Sequence, residues 1–194
     1  MRSEQERMHW VIAFFISGSY QNDYVRVIEE YTDIWQTEPA GWRLAYNAIL
    51  PYYTSMVKTE KIKVKTKGNC DIVNITEQVS EVVAQSAVGD GAVTLFNVGS
   101  TAGITTTEYE PGLVNYDIRA AFEKIAPENA RYEHEQTWHD DNGHAHVRAS
   151  LLGPSLSVPV VGGRLTLGTW QQIILVDFDT RPRTRTVICQ ILGE

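Results

Sequence analysis

The stretch "SVPVVGGRLTLGTWQQIILVDFDTRPRTRTVICQIL", residues 157–192, holds a series of short apolar runs. Glycine, proline and aspartate separate these runs, and such residues favour turns between strands. The sequence therefore predicts consecutive strands at "SVPVV", "RLTLG", "WQQIILVDF" and "RTVICQIL". The elements that precede them must then pack against a sheet.

A further strand is predicted at "KTEKIKVKTKG", residues 58–68, which alternates strictly. Ile62, Val64 and Thr66 share one face of this strand. The other face carries Lys61, Lys63, Lys65 and Lys67. That pattern indicates a half-buried strand whose lysines discourage pairing with another edge. The alternative is a cationic stripe that binds anions.

Two helices are predicted before the carboxy-terminal strands. The first begins at Thr76, which can cap it, and continues to Val88. The second spans Leu113 to Ile125 and ends before Pro127. Between them, "AVTLFNV" is typical of a buried strand. Two early helices followed by strands indicate an α+β fold, a compact single domain with a mixed or antiparallel sheet over residues 56–194.

Residues 1–55 differ in composition from the rest of the chain. They hold eleven of the nineteen aromatic residues but none of the six lysines. Helical periodicity around residues 22–35 and 39–51 predicts a helical amino-terminal extension. The alternative is that translation starts at Met56, so that residues 1–55 are upstream sequence.

The composition excludes several classes of partner. The formal net charge is −7, and the chain has no basic block apart from the lysine-rich strand. Binding to phosphate backbones usually needs a basic patch, so we expect no nucleic-acid partner. No apolar run approaches the roughly 18 residues that cross a membrane, so we expect no membrane insertion. Cys70 and Cys189 form no CxxC pair and are predicted to be reduced thiols in a cytoplasmic protein.

The stretch "WHDDNGHAHVRASLLG", residues 138–153, holds three of the chain's five histidines. If "HAHVRASLL" is a strand, alternation places His144, His146 and Arg148 on one face. A His-x-His pair is a partial metal site, which His134 and His139 could complete as ligands of a divalent ion. The alternatives are a solvated or interface face, or a phosphate or carboxylate bound beside the guanidinium.

The segment "NVGSTAGITTTEYEPG", residues 97–112, is rich in small and hydroxyl-bearing residues. Gly99 and Gly103 permit close backbone approach, and the hydroxyls of Ser100 and Thr101 could hold a phosphate. Glu108 follows directly. Because threonine also favours strands, an edge strand over "ITTTEY" is the alternative.

Several motifs in residues 57–194 resemble the YjbQ family of secondary thiamine-phosphate synthases. They are Tyr-x-His, Ala-His-x-Arg-Ala-Ser-Leu-Leu-Gly, Ser-x-x-Val-Pro-Val, Leu-Gly-Thr-Trp-Gln and a terminal Gly-Glu. The resemblance implies a compact α+β domain that assembles into a homotrimer, with a polar pocket lined by histidines and acids.

The two segments above and the family motifs together predict three sets of functional residues. The predicted catalytic residues are Glu108, Asp117, His146 and Arg148. The predicted substrate-binding residues are Ser100, Thr101, Trp170 and Gln171. The predicted metal ligands are His134, His139, His144 and His146.

One departure from the family lies at Gly99, Ser100, Thr101 and Ala102, where members commonly read His-Thr-Thr-Ala. The usual third histidine is therefore absent. Either a nitrogen from the loop of residues 139–144 replaces it, or the site has lost its metal.

The resemblance implies transfer of a pyrimidine-methyl group from its diphosphate to a thiazole phosphate, with release of pyrophosphate. In this hypothesis a divalent metal, Mg²⁺ or Zn²⁺, assists the departing diphosphate. Two alternatives stay open. One is a metal-assisted hydrolase of a small phosphorylated metabolite, and the other is a metal- or ligand-binding trimer without turnover.

Overall fold

The computed structural model describes residues 56–194. The predicted amino-terminal helices, within residues 1–55, lie outside the described residues. The described part combines antiparallel strands with a few helices, and the predicted α+β fold is confirmed.

The strands and helices follow one another in an order close to the predicted one. The strands are β1 (Met56–Thr66), β2 (Asp71–Asn74), β3 (Gly91–Val98), β4 (Ala102–Thr107), β5 (Ser155–Val161), β6 (Arg164–Leu165), β7 (Gln172–Asp177) and β8 (Arg183–Gly193). The helices are α1 (Thr76–Ser86), a π-helical turn (Leu113–Asp117) that continues into α2 (Ile118–Ile125), α3 (His134–Trp138) and α4 (Gly143–Leu152). None of the helices within residues 56–194 is both long enough and apolar enough to span a bilayer.

The strands form two antiparallel sheets. The larger sheet has the order β1-β8-β3-β5-β6, and the smaller has the order β2-β7-β4. The longest pairing joins β1 and β8 over their full lengths. As predicted, Ile62 and Val64 of β1 are buried while Lys63 faces outward. Since β1 is an edge of its sheet, its lysines discourage further pairing there.

Strand β7 separates two apolar cores. Its residues Ile173 and Leu175 belong to the main core, which both sheets and α1 build. The alternate residues Ile174 and Val176 belong to a second core, which α4 and α2 cover. Because successive strand residues point to opposite faces, β7 is buried on both sides. Packing on both faces therefore fixes the position of the carboxyl end of β7, and the candidate functional site lies beside that end.

The prediction of a strand at "HAHVRASLL" is wrong, because these residues form α4. Their apolar residues fit both periods, and the spacing of Ala145 and Ala149 is that of one helical turn. Those two alanines are buried, whereas Val147 and Leu151 are exposed. Alanine, leucine and arginine also favour helices. Gly153 ends the helix with φ of 91° and donates its N–H to the carbonyl of Ala149.

Candidate functional site at the junction of two helices and two sheets

Helix α4 presents its two histidines to different surroundings. Side chains two residues apart on a helix differ in direction by about 200°, whereas a strand would have aligned them. His144 is 1% exposed, and its ring centroid lies 6.2 Å from that of Tyr132. Burial and the charge of Arg148 lower the pKa of His144. His144 is therefore a neutral histidine of the domain interior.

Arg148, a predicted catalytic residue, is engaged in the same interior. It is 1% exposed, and its Nε donates to the carbonyl of Ala126 at 2.9 Å. Its Nη2 forms an ion pair with Oε2 of Glu123 at 2.5 Å. Because Ala126 directly follows α2, Arg148 ties the end of that helix to α4. These contacts give Arg148 a structural role in the described domain.

His146 faces away from this interior and meets His134 at the start of α3. The centroids of the two rings lie 4.5 Å apart. Nε2 of His134 lies 3.3 Å from Oδ1 of Asp140. Asp140 can reach back because α3 ends at His139 in the left-handed conformation, with φ of 56°. We call His134, Asp140 and His146 the histidine cluster.

The histidine cluster holds an imidazole that is neutral near pH 7. Burial and the charge of His134 lower the pKa of His146. Asp140, Asp179 and the backbone of Ser100 act in the opposite direction without reversing the shift. Their influence also shows that the carboxyl end of β7 and the turn before β4 border this histidine.

A buried network of ion pairs lies at that border. Asp177, which is fully buried, accepts a hydrogen bond from Nε of Arg185 at 2.7 Å and another from Nη2. Oδ2 of Asp179 accepts from the hydroxyl of Thr101 at 3.0 Å and from Nε of Arg183 at 2.9 Å. Burial raises the pKa of Asp179, but the hydrogen bonds from Arg183 and Thr101 bring it below its usual range. We call these five residues the arginine–aspartate network.

Three buried polar atoms at this junction have no hydrogen-bond partner among the described residues. They are Nε2 of His134, Oδ1 of Asp140 and Oδ1 of Asp179. Oδ1 of Asp179 can only accept, whereas Nε2 of His134 and Oδ1 of Asp140 lie 3.3 Å apart and can pair with each other when Nε2 carries the ring proton. Leaving a buried acceptor unpaired costs about 1–3 kcal/mol, so such atoms are usually matched by a donor. The junction is therefore suited to a ligand that brings donor or positively charged groups.

Three other predicted residues, Glu108, Trp170 and Gln171, lie at the end of β4 that is far from the histidine cluster. Ser100 precedes that strand and Glu108 follows it, so extended chain of roughly 20 Å separates them. Nε2 of Gln171 donates to the hydroxyl of Thr106 at 2.8 Å, beside Trp170, which is 71% exposed. Within one chain, the structure therefore does not bring Glu108, Trp170 and Gln171 to the histidine cluster.

The four predicted metal ligands are not gathered at one place. His134 and His146 belong to the histidine cluster, His139 is exposed at the end of α3, and His144 is in the interior. Asp117, a predicted catalytic acid, is also exposed. Within residues 56–194, no three side chains of the metal-ligating types are arranged to hold an ion. The residues as placed do not fit the predicted divalent metal, and we assign no chemical step to one.

The sequence analysis missed the arginine–aspartate network. A signal was present in "VDFDTRPRTRTV", residues 176–187, where aspartates and then arginines recur at every second position around a turn. If the flanking segments are strands, alternation places Asp177 with Asp179, and Arg183 with Arg185. Two rows of opposite charge on consecutive strands predict ion pairs.

Comparison with known proteins identifies similar chains of about the length of the described domain. A sequence profile of the family described as UPF0047 protein YjbQ-like matches residues 60–194. A UPF0047 protein of Archaeoglobus fulgidus is 39% identical over 132 residues, which are 68% of this chain and 99% of that protein. The UPF0047 protein YugU of Bacillus subtilis is 35% identical over 139 residues, which are 71% of this chain and 100% of that protein.

Solved structures with the same fold are also similar in sequence. A crystal structure from Sulfolobus solfataricus, described as a YbjQ-like protein of unknown function, matches with a TM-score of 0.68 and 35% identity. The match covers 73% of this chain and 100% of that protein. A YjbQ/UPF0047 protein of Clostridium acetobutylicum matches with a TM-score of 0.62 and 37% identity. This match covers 68% of this chain and 98% of that protein.

Proposed function

Because the chain belongs to the UPF0047 family of YjbQ-like proteins, we propose that its domain is an enzyme of the secondary thiamine-phosphate synthase type. The reaction joins a pyrimidine diphosphate to a thiazole phosphate and releases pyrophosphate. The substrates are therefore small phosphorylated metabolites. We place the reaction between the histidine cluster and Asp179.

The observation that carries this proposal is the buried acceptor Oδ1 of Asp179, which has no hydrogen-bond partner among the described residues and lies near the carboxylate of Asp140. As the C–O bond to the diphosphate breaks, positive charge develops on the methylene carbon of the pyrimidine. The thiazole nitrogen then attacks that carbon and forms the new C–N bond. Carboxylates that are held in place before the reaction, such as those of Asp140 and Asp179, stabilise this charge strongly in a buried site. The amino group of the pyrimidine supplies the donor that Oδ1 of Asp179 lacks.

His146 supports the same chemistry by remaining uncharged. Its pKa is lowered by burial and by His134, so it adds no positive charge beside the cationic centre. Asp179 is ionised, because hydrogen bonds from Arg183 and Thr101 offset the effect of burial on its pKa. Oδ1 of Asp179 is thus an acceptor that is fixed in place before the reaction.

The lowered pKa of His146 also favours a second candidate function, hydrolysis of a small phosphorylated metabolite. A neutral imidazole can take a proton from water as that water attacks phosphorus. The two functions differ in their products. The transferase forms thiamine phosphate and pyrophosphate, whereas the hydrolase releases inorganic phosphate from either precursor alone.

We further propose that the domain works as a homotrimer, in which Glu108 and Trp170 of one copy approach the histidine cluster of a neighbour. Two observations support this assembly. The two groups lie at opposite ends of β4, and apolar side chains such as Phe96 and Val98 are about half exposed on the outer face of the larger sheet. Light scattering at micromolar concentration is expected to report a trimer, and a stable monomer would contradict the proposal.

A cytoplasmic location is part of the same proposal. Cys70 and Cys189 are both buried and free. Burial raises the pKa of each thiol to about 11, so both resist oxidation. Thiols of this kind are compatible with a reducing compartment.

The proposed function is tested by assaying the full chain with the two thiamine precursors, with and without a chelator. Asp140→Asn keeps the shape of the side chain but removes its charge, and we expect turnover to fall roughly a hundredfold. His139→Gln is the matched control in the same loop, because His139 is exposed, and it should leave turnover unchanged. Release of inorganic phosphate without thiamine phosphate would support the hydrolase instead. Equal effects of both substitutions would contradict a role for the histidine cluster.

A further inference from the structure

Gly99 leaves one side of a buried arginine uncovered. Gly99 itself is exposed and has φ of 138°, a conformation that residues with a Cβ rarely adopt. A Cβ built on this glycine would lie 3.2 Å from Nη1 of Arg185. Any side chain at this position would therefore press on that nitrogen, and glycine leaves it accessible.

The rest of the Arg185 guanidinium is held in place by the arginine–aspartate network. Its Nε and Nη2 bind the carboxylate of Asp177, and Nη2 also donates to the hydroxyl of Thr101 at 2.8 Å. Nη1 has no hydrogen-bond partner among residues 56–194. Arg185 is 7% exposed as a whole, but Nη1 is not one of the buried polar atoms without a partner, so it reaches the surface and its two N–H groups can donate to a bound acceptor.

We call the space beside Gly99 that leaves Nη1 of Arg185 accessible the notch. We propose that the notch binds a phosphate group of the substrate, with Nη1 of Arg185 as the principal donor. The exposed hydroxyl of Ser100 lies next to the notch in the chain and can add a second hydrogen bond. This inference rests on the proposed function, since it assigns the position of the substrate's diphosphate. Oxygens of a phosphate are strong acceptors for a guanidinium that is already oriented.

The charges around the notch permit an anion. In the network, Arg183 and Arg185 carry two positive charges, and Asp177 and Asp179 carry two negative charges, so the four sum to zero. The nearby Asp140 lies outside the network, beside His134 and His146, where the cationic part of the substrate is placed. A phosphate in the notch thus faces one free guanidinium nitrogen and no uncompensated carboxylate of the network.

The notch also sets the direction in which the substrate lies. Its donor side faces the phosphate, while the unpaired Oδ1 of Asp179 faces the part of the substrate that carries donors and positive charge. A histidine, the residue that the family resemblance implies at this position, would cover Nη1. Glycine is therefore the residue that makes room for an anionic group in this chain.

The inference is tested by titrating the full chain with inorganic pyrophosphate and inorganic phosphate, using calorimetry. Gly99→Ala places a methyl group against Nη1, and we expect the affinity for pyrophosphate to fall at least tenfold. Gly153→Ala is the matched control for backbone strain. It has φ of 91° but would meet nothing within 4 Å, so its affinity should equal that of the unchanged protein. Equal affinity of Gly99→Ala and the unchanged protein would overturn the inference, as would an equal loss in Gly153→Ala.

A second pair of substitutions keeps the test valid if Gly99→Ala fails to fold. Ser100→Asp places a negative charge one residue from Gly99 and should lower the affinity for pyrophosphate at least tenfold, whereas Ser155→Asp, at an exposed position of β5, should not. Retained binding in Ser100→Asp would refute the notch. If pyrophosphate binding depends on Gly99 but no thiamine phosphate forms, the phosphate site stands and the proposed reaction fails. If turnover is found but Gly99→Ala leaves it and pyrophosphate binding unchanged, the reaction stands and the notch fails.

Discussion

Replacing Arg148 by methionine separates the structural role of this residue from the catalytic role that its sequence motif predicts. Arg148 is 1% exposed and joins the carbonyl of Ala126 to the carboxylate of Glu123. Methionine has a similar length and fills the space of the aliphatic stem, so the substitution mainly removes polar contacts. The domain should therefore lose stability while its folded form keeps the geometry of the histidine cluster.

The magnitude follows from the two contacts. The carbonyl of Ala126 is left buried without its donor, which costs about 1–3 kcal/mol. The side chain of Glu123 is 43% exposed and can turn to water, so loss of the ion pair adds less than about 1 kcal/mol. We expect the free energy of unfolding to fall by about 1–4 kcal/mol, which corresponds to a melting temperature lower by roughly 3–15 °C for a domain of this size.

Urea and thermal unfolding of the full chain, together with the precursor assay at 25 °C, test this reasoning. Arg119→Met is the matched control, because the side chain of Arg119 is 53% exposed and its nitrogen lies 3.9 Å from Glu128. It should change stability by less than about 0.5 kcal/mol. Unchanged stability of Arg148→Met with complete loss of turnover would refute the structural role and restore the catalytic one.

Two further predictions concern pH and domain boundaries. Burial lowers the pKa values of His144 and His146 below the value of roughly 6.5 that they have in the unfolded chain. Their contribution to the stability of the domain is therefore complete above about pH 6.5, and it is lost as the pH falls through their folded pKa values. The urea midpoint should therefore drop between pH 7 and pH 5, and the drop should be smaller in His144→Gln; a midpoint that rises toward pH 5 would contradict this. The chain expressed from Met56 should unfold cooperatively, because the protein YugU of Bacillus subtilis matches this part of the chain over 100% of its own length. A broad, uncooperative transition in calorimetry would show that residues 1–55 are required for folding.

The sequence by itself determined the elements whose burial pattern is periodic and unambiguous. Strict alternation in "KIKVKT" predicted which face of β1 is buried, and the apolar run of β7 predicted a strand. The two early helices were predicted within two residues of their ends, Thr76–Ser86 as α1 and Leu113–Ile125 as the π-helical turn with α2. In each case one secondary structure matches the spacing of the apolar residues much better than the other.

Only the tertiary structure decided between helix and strand at "HAHVRASLL". Ala145, Val147, Ala149 and Leu151 satisfy a strand, whereas Ala145, Ala149 and Leu152 satisfy a helix, so the spacing of the apolar residues does not choose between them. The choice depends on the second core, where the two alanines pack beside Phe178 while Val147 and Leu151 stay exposed. In the helix, His144 and Arg148 lie in the interior of the domain, and His146 lies next to His134.

The candidate site was likewise only partly visible in the sequence. The motifs pointed to His134 and His146, which are twelve residues apart and which the structure brings together. They did not reveal that Asp179 and Arg185 would border them, or that Glu108 would lie at the far end of β4. Contacts between distant residues depend on how the sheets pair and how the helices pack over them, and local propensity carries no information about that packing. The residue types were therefore readable from the chain, while their grouping into a site came from the fold.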